Sequence, residues 1–437
     1  MKSFPMALCL RLFLILISLL GTVSLAYAQD GLDTGDTAWV LTSSALVFLM
    51  TPGLALFYGG MVRRKNFLSV LMQCFMIICI VTVQWVILGY SLAFGPDIKG
   101  WIGNLNWALL KNVGMEPGVY SATIPHQAFM IFQLMFAIIT PALIVGAFAE
   151  RMKFLGFCIF SLLWATIVYD PICHWVWAKG GFLGGMGALD FAGGTVVHLN
   201  AGAAALAGAL VLGKRRGYPD SISPPHHLPL SVLGAALLWF GWFGFNAGSA
   251  LGSAGLAANA FTTTHVATAT AALTWAVIDW IFNKRPTMLG MISGAVAGLV
   301  AITPAAGFVN PCGALGVGVG AGVFCYWGVV WLKVKLGYDD SLDVFGVHGI
   351  GGAWGALATG LWADPSVNGF DGLFYGNPGQ VLLQLKAIAV TGVFSFVVSF
   401  VLFNLVGAIF GLRASEEEEK IGLDITQHRE SAYTILH

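Results

Sequence analysis

Long runs without charge dominate this chain, and they constrain its fold more than any other feature. About 20 mostly apolar residues are needed to cross the hydrocarbon core of a bilayer as a helix. Eleven windows meet that requirement, at 37–58, 67–94, 124–149, 154–170, 190–213, 228–247, 256–282, 287–304, 312–332, 344–363 and 380–412. Only 10% of the 437 residues are charged and 57% are hydrophobic, against about 25% charged in an ordinary soluble domain. Such a chain cannot cover its own surface with water-compatible groups. The fold class is therefore an all-α polytopic membrane protein of eleven transmembrane helices. A soluble enzyme, a disordered protein and a secreted disulfide scaffold are excluded. The 21 basic and 21 acidic residues cancel, so net charge gives no reason to expect nucleic acid. Seven cysteines without a C-x-x-C pair carry no metal or redox signature, and neither a metal nor a cofactor is expected.

Residues 1–28 read as a signal peptide. Lys2 and Arg11 precede the apolar run Leu12 to Leu20, and Ala26-Tyr27-Ala28 is a small-x-small cleavage site. The distribution of Lys and Arg between loops sets the orientation of the eleven spans. Loops after odd-numbered spans hold Arg63-Arg64-Lys65, Arg151, Lys153, Lys214-Arg215-Arg216, Lys284-Arg285, Lys333 and Lys335, twelve in all. Loops after even-numbered spans hold three, Lys99, Lys111 and Lys179. The first set faces the cytoplasm. This gives a membrane domain over 29–412 in the cell (inner) membrane, its N-terminus outside, and a cytoplasmic tail over 413–437.

Ten spans plus one suggest two inverted five-helix halves with a peripheral eleventh helix. The fifth span pairs Asp190 with His198, and the tenth pairs Asp343 with His348. Inverted repeats place a substrate site where the halves meet. A charge at mid-span costs about 2.5–3.5 kcal/mol on insertion scales, so each intramembrane histidine needs an explanation. His265 follows Thr262-Thr263-Thr264 and reads as a neutral ring satisfied by neighbouring hydroxyls. His198 and His348 have few hydroxyls nearby and read as facing a partner or a pore. Spacing alone does not say whether they touch. Asp190 reads as a helix N-cap that also lends negative potential to an outer cation site. Trp175-Val176-Trp177 fits an aromatic belt, with cation–π recognition as the sharper alternative. Gly316, Gly318, Gly320 and Gly322 read as close helix packing, not a nucleotide loop.

Three blocks together resemble the signatures of the ammonium transporter (Amt/Mep/Rh) family, in its bacterial Amt branch. They are Asp190-Phe191-Ala192-Gly193-Gly194-Thr195-Val196-Val197-His198, Gly241-Trp242-Phe243-Gly244-Phe245-Asn246-Ala247-Gly248-Ser249 and Asp343-Val344-Phe345-Gly346-Val347-His348-Gly349. Pro52-Gly53-Leu54-Ala55-Leu56-Phe57-Tyr58-Gly59-Gly60, Gly146-Ala147-Phe148-Ala149-Glu150-Arg151 and Gly422-Leu423-Asp424 extend the likeness over nearly the whole chain.

The resemblance implies a homotrimer with one narrow pore through each subunit. By position, Trp177 and Ser249, with Phe132 nearby, would form an outer ammonium site backed by Asp190. Phe136 and Phe245 would be the stacked rings of a gate. His198 and His348 would line the dry pore as a proton relay, with Trp242 as a pore-lining neighbour. The implied activity is ammonium transport, in which ammonium is deprotonated and ammonia conducted, and not an enzymatic reaction. A sensor of the same fold with little transport is the alternative. The family's tail is implied to pack under a neighbouring subunit. Bacterial relatives are also implied to be blocked by a PII-type protein, for which Lys214-Arg215-Arg216 is a candidate docking surface. This chain departs from the family in Ala178-Lys179-Gly180-Gly181, which puts a lysine where glycine is usual.

Overall fold

The computed structural model describes residues 31–433 apart from Ile222; the expected signal peptide lies outside them. Eleven helical segments coincide with the eleven windows. They are α1 (Thr34–Met61), α2 (Arg64–Phe94), α3 (His126–Phe148), α4 (154–177), α5 (Gly194–Leu212), α6 (Leu228–Gly248), α7 (Gly255–Asn283), α8 (Met288–Ile302), α9 (Pro311–Leu336), α10 (345–362) and α11 (Gly379–Phe410). Among the described residues, nine helices are long and apolar enough to cross a membrane, while α8 and α10 are shorter. The starts of α8 and α9 are capped by side chains. Thr287 Oγ1 accepts from Gly290 N–H, and Asn310 Oδ1 accepts from Gly313 N–H just before Pro311.

The fourth window ends at Asp170, but the helix runs on to Trp177. Asp170 is fully buried and accepts a 2.7 Å bond from Gln84 Nε2 of α2, so its polarity does not end the span. A π-turn at Ala165–Tyr169 widens the helix just before Pro171, which accommodates the missing N–H. The fifth window opens at Asp190, whereas α5 begins at Gly194. Asp190 stands just outside as its cap.

The two halves correspond in their fourth and fifth helices, although the π-turn of α2 (Trp85–Gly89) has no counterpart in α7. π-Turns occur in α4 and α9 (Gly328–Leu332), and again in α5 (Gly194–Leu199) and α10 (Phe345–Gly349). These are the fourth and fifth members of each half. The first members, α1 and α6, pack along each other. α3 and α5 are the most enclosed spans and α11 the least, as a peripheral helix should be. Gly318 and Gly320 of α9 sit hard against Ala267 and Trp354, in keeping with close packing there.

Loops after odd helices and the tail share one face, here termed the tail face; the other is the distal face. The tail forms α12 (Glu416–Ile421) and α13 (Leu423–His428) and clasps its own chain. Asp424 Oδ1 accepts from Ser69 N–H at 2.8 Å, Leu423 N–H donates to Asn66 Oδ1, and Arg413 pairs with Glu419.

Candidate functional site

α5 and α10 cross so closely that only glycine fits at the contact. A Cβ on Gly202, four residues after His198, would lie 2.2 Å from Gly349 N. A Cβ on Gly352, four residues after His348, would lie 2.7 Å from Leu199 N. This reciprocal crossing sets the two imidazoles edge to edge in nearly parallel planes, with ring centroids 5.3 Å apart and Nδ1 to Nδ1 3.3 Å. Both are buried, at 1% and 3% exposure. One Nδ1–H donates to the other Nδ1, so the pair has two interconvertible tautomeric arrangements. Either leaves one Nε2–H and one bare Nε2 at the ends of the pair. Trp242 stacks on His198 at 5.3 Å, and its Nε1–H is fixed by Thr303 Oγ1 at 2.9 Å.

Toward the distal face, Phe245 stacks 6.0 Å from His198 and 4.3 Å from Phe136. Phe136 meets Phe132 at 5.0 Å and the edge of Trp177 at 5.7 Å. Phe132, Phe136 and Phe245 are buried, whereas Trp177 and Ser249 are partly exposed. Ser249 Oγ–H donates to Phe245 C=O at 2.9 Å, which leaves its lone pairs free to accept from a donor. The residues singled out from the sequence thus form one column: Trp177, Ser249 and Phe132, then Phe136 and Phe245, then His198 beside Trp242, then His348.

Asp190 does what the capping reading required. Its carboxylate accepts from Gly193 N–H (2.7 Å), Gly194 N–H (2.7 Å), Thr195 N–H (2.8 Å), Val196 N–H (3.2 Å) and the Thr195 hydroxyl. Its backbone C=O accepts from Trp177 Nε1–H at 2.9 Å. One residue therefore both starts α5 and orients the distal tryptophan. Lys179 lies exposed on the loop just beyond Trp177.

Past His348 a cavity of about 50 Å³ opens toward the tail face, lined by Tyr58, Leu342, Val347 and Asp343 among others. Asp343 is not the counterpart of Asp190. It pairs with Lys333 and holds a left-handed φ of 62°. The residue that caps α10 is Asp340, whose Oδ2 accepts from Phe345 N–H at 2.7 Å. Asp340 precedes His348 by the same eight residues that separate Asp190 from His198, a signal the sequence carried and Asp343 masked. Burial pushes the Asp340 carboxyl up to about 6, with Asp343 adding to the shift and Lys333 opposing it. Nearby, Arg215 donates four hydrogen bonds of 2.6–3.1 Å to the Asp339 carboxylate, so only Lys214 and Arg216 of that basic triplet are exposed.

His265 also differs from expectation. Thr262, Thr263 and Thr264 donate to the carbonyls of Ala258, Asn259 and Ala260 on their own helix. The imidazole instead lies exposed on the outer surface of α7, packed on Trp239 at 5.4 Å and Phe243 at 6.2 Å.

This fold and site define a polytopic helical membrane transporter in which a column of aromatic rings meets a buried histidine pair. The Ammonium Transporter Family matches residues 38–433, and the chain belongs to that family. It is 56% identical over 404 residues to an ammonium transporter of Bacillus subtilis, covering 92% of this chain and 99% of that one. It is 49% identical over 403 residues to the ammonium transporter Amt1 of Archaeoglobus fulgidus, covering 92% and 100%. Among solved structures, Saccharomyces cerevisiae Mep2 superposes with a TM-score of 0.84 at 38% identity, covering 89% of each chain. A structure described as a sensor Amt protein gives 0.84 at 29% identity, covering 90% of this chain and 98% of that one.

Proposed function

We propose that this transporter takes up ammonium by binding the cation at the distal mouth, stripping its proton there and passing ammonia along the histidine column. Trp177 offers a ring face and Ser249 an acceptor. A desolvated cation–π contact is worth about 2 kcal/mol. Moving an intact charge into the dry column costs more than that contact returns. Deprotonation removes most of the penalty, and potassium, which has no proton to lose, meets the full barrier. The His198–His348 pair, 3.3 Å apart in an apolar column, is the observation that carries this reading. A shared proton can hop between the rings, giving the released proton a route that neutral ammonia does not need.

In the same reading the distal face is outside, on the count of twelve basic loop residues against three. Residues 1–28 are removed as a signal peptide, 29–412 form the membrane domain, and 413–437 the cytoplasmic tail. Three copies assemble, each with its own passage. A PII-type protein could dock on the tail face, using the exposed Lys214 and Arg216 and not the engaged Arg215. Uptake of labelled methylammonium into proteoliposomes, with and without a membrane potential, tests the transport reading. Uptake that saturates and is competed by ammonium supports it. Binding without uptake would identify a sensor instead.

A further inference from the structure

The turn that carries Ser249 is held in a conformation its own sequence disfavours. Ser249 follows the last residue of α6, and two residues on, Leu251 takes a left-handed φ of 53°. A leucine adopts that conformation at a cost and keeps it only where its surroundings over-determine it. Within the turn, Ser249 N–H donates to Asn246 C=O at 3.2 Å and Leu251 N–H to Gly248 C=O at 2.9 Å. Further restraint comes from the start of α1, far earlier in the chain.

Asp36 Oδ1 accepts from both the N–H and the hydroxyl of Ser253, at 2.8 and 3.1 Å. Trp39 Nε1–H, also on α1, donates to Ala247 C=O at 3.2 Å. Ser249 therefore stands between two residues tied to α1. Gly252 lies against the carboxylate, where an added Cβ would meet Asp36 Oδ1 at 3.2 Å. Asp36 is itself held. Its N–H donates to Asp33 Oδ1 at 2.8 Å, and Asp33 N–H donates at 2.8 Å to the carbonyl of Thr123, just before α3. A Cβ on Gly248 would lie 2.5 Å from Ser43 Cβ of α1 and 2.9 Å from the Phe132 ring of α3. The start of α1 is thus the template on which the Ser249 turn and the Phe132 helix meet.

We propose that Asp36 is a positioning residue for cation recruitment: by holding Ser253 it fixes the 249–253 turn, and with it the direction in which Ser249 Oγ offers its lone pairs. The inference rests on the reading of Trp177 and Ser249 as the ammonium site and adds a residue that acts through Ser249. Direction matters because the Ser249 hydroxyl hydrogen is already engaged by Phe245 C=O, and a hydrogen bond weakens steeply as it bends. A bare negative charge near the mouth would also attract cations, but through water, where salt screens it. The short bonds to Ser253 favour positioning.

Methylammonium uptake and amide hydrogen exchange, both on the full chain in proteoliposomes, form the test. Asp36→Ala should raise half-saturation about tenfold, the equivalent of one hydrogen bond to a charged group, with a smaller change in maximal flux. Asp36→Asn keeps an oxygen for Ser253 and should recover most of the parent's half-saturation. Asp36→Glu keeps the charge but displaces the oxygen by one methylene, and should behave like alanine. Asp36→Ala/Ser249→Ala should be no worse than Ser249→Ala alone, and additive losses would overturn the proposal. Exchange at the amides of residues 250–253 should quicken with alanine and glutamate and not with asparagine. Exchange needs no transport, so failure of the tie is distinguishable from failure of the ammonium reading. Exchange in Asp36→Ala as slow as in the parent overturns the proposal. So does recovery by glutamate and not asparagine, which marks charge alone. A flux that falls at unchanged half-saturation overturns it too, because the residue is then purely structural. Should alanine fail to fold, the asparagine and glutamate pair decides between position and charge.

Discussion

Replacing Asp190 by alanine should cost more in folding than any other single change at the distal mouth. Its carboxylate is the acceptor for four backbone N–H groups, those of Gly193, Gly194, Thr195 and Val196, at 2.7–3.2 Å. Alanine leaves all four without a partner at a position only 8% exposed. A buried donor left unsatisfied costs about 1–3 kcal/mol. Even at the low end, four amount to about 4 kcal/mol, a large share of a typical folding free energy of about 5–15 kcal/mol. Asp190→Asn keeps one oxygen of the right shape and should lose roughly half as much. Thermal unfolding of the purified protein reads the total, and amide hydrogen exchange at residues 193–196 reads it locally. Alanine should bring early unfolding and fast exchange at those four amides, with asparagine between. An alanine variant that unfolds where the parent does, with those amides still protected, would refute the capping account. Asparagine that folds like the parent yet loses recruitment would assign the residue's weight to its charge.

Trp177→Leu and Ser249→Ala should raise half-saturation for methylammonium uptake more than they lower maximal flux, since both residues stand before the barrier. Gly202→Ala forces a Cβ to 2.2 Å from Gly349 N; the overpacking should cost about 1–3 kcal/mol and part the imidazoles, seen as a lower unfolding midpoint together with lost transport. Asp340 titrates in the folded protein near 6, up from 3.8. Folding therefore favours its protonated form, and the stability it adds below pH 4 is lost as pH rises through 6. Asp340→Asn should flatten that part of the stability–pH curve, and an unchanged slope would remove Asp340 as its cause.

The spans are legible because the bilayer demands length and apolarity, and both are written directly in composition along the chain. Where polarity is satisfied internally, that rule misleads. Asp170 looks like the end of a helix, yet Gln84 bonds it inside the bundle. Every residue of the column is visible as a motif, but the contact between His198 and His348 is not. It depends on Gly202 and Gly352 allowing two helices to cross at near-contact, which no one-dimensional pattern encodes. Asp343 draws the eye as the acidic partner of α10 because it stands nearer to His348; equal spacing from the two histidines points to Asp340. The threonines beside His265 look like its partners, but helix geometry turns them back onto their own carbonyls.

The central claim is that nitrogen crosses without its charge, past a coupled pair of imidazoles. Fluxes of ammonium and potassium, measured in the same proteoliposomes for the parent chain and for His198→Leu/His348→Leu, test it most directly. The account predicts ammonium flux without potassium flux in the parent, and an ammonium flux sharply altered once the imidazoles are gone. Potassium passing as readily as ammonium in the parent, or a double variant indistinguishable from it, would contradict the account.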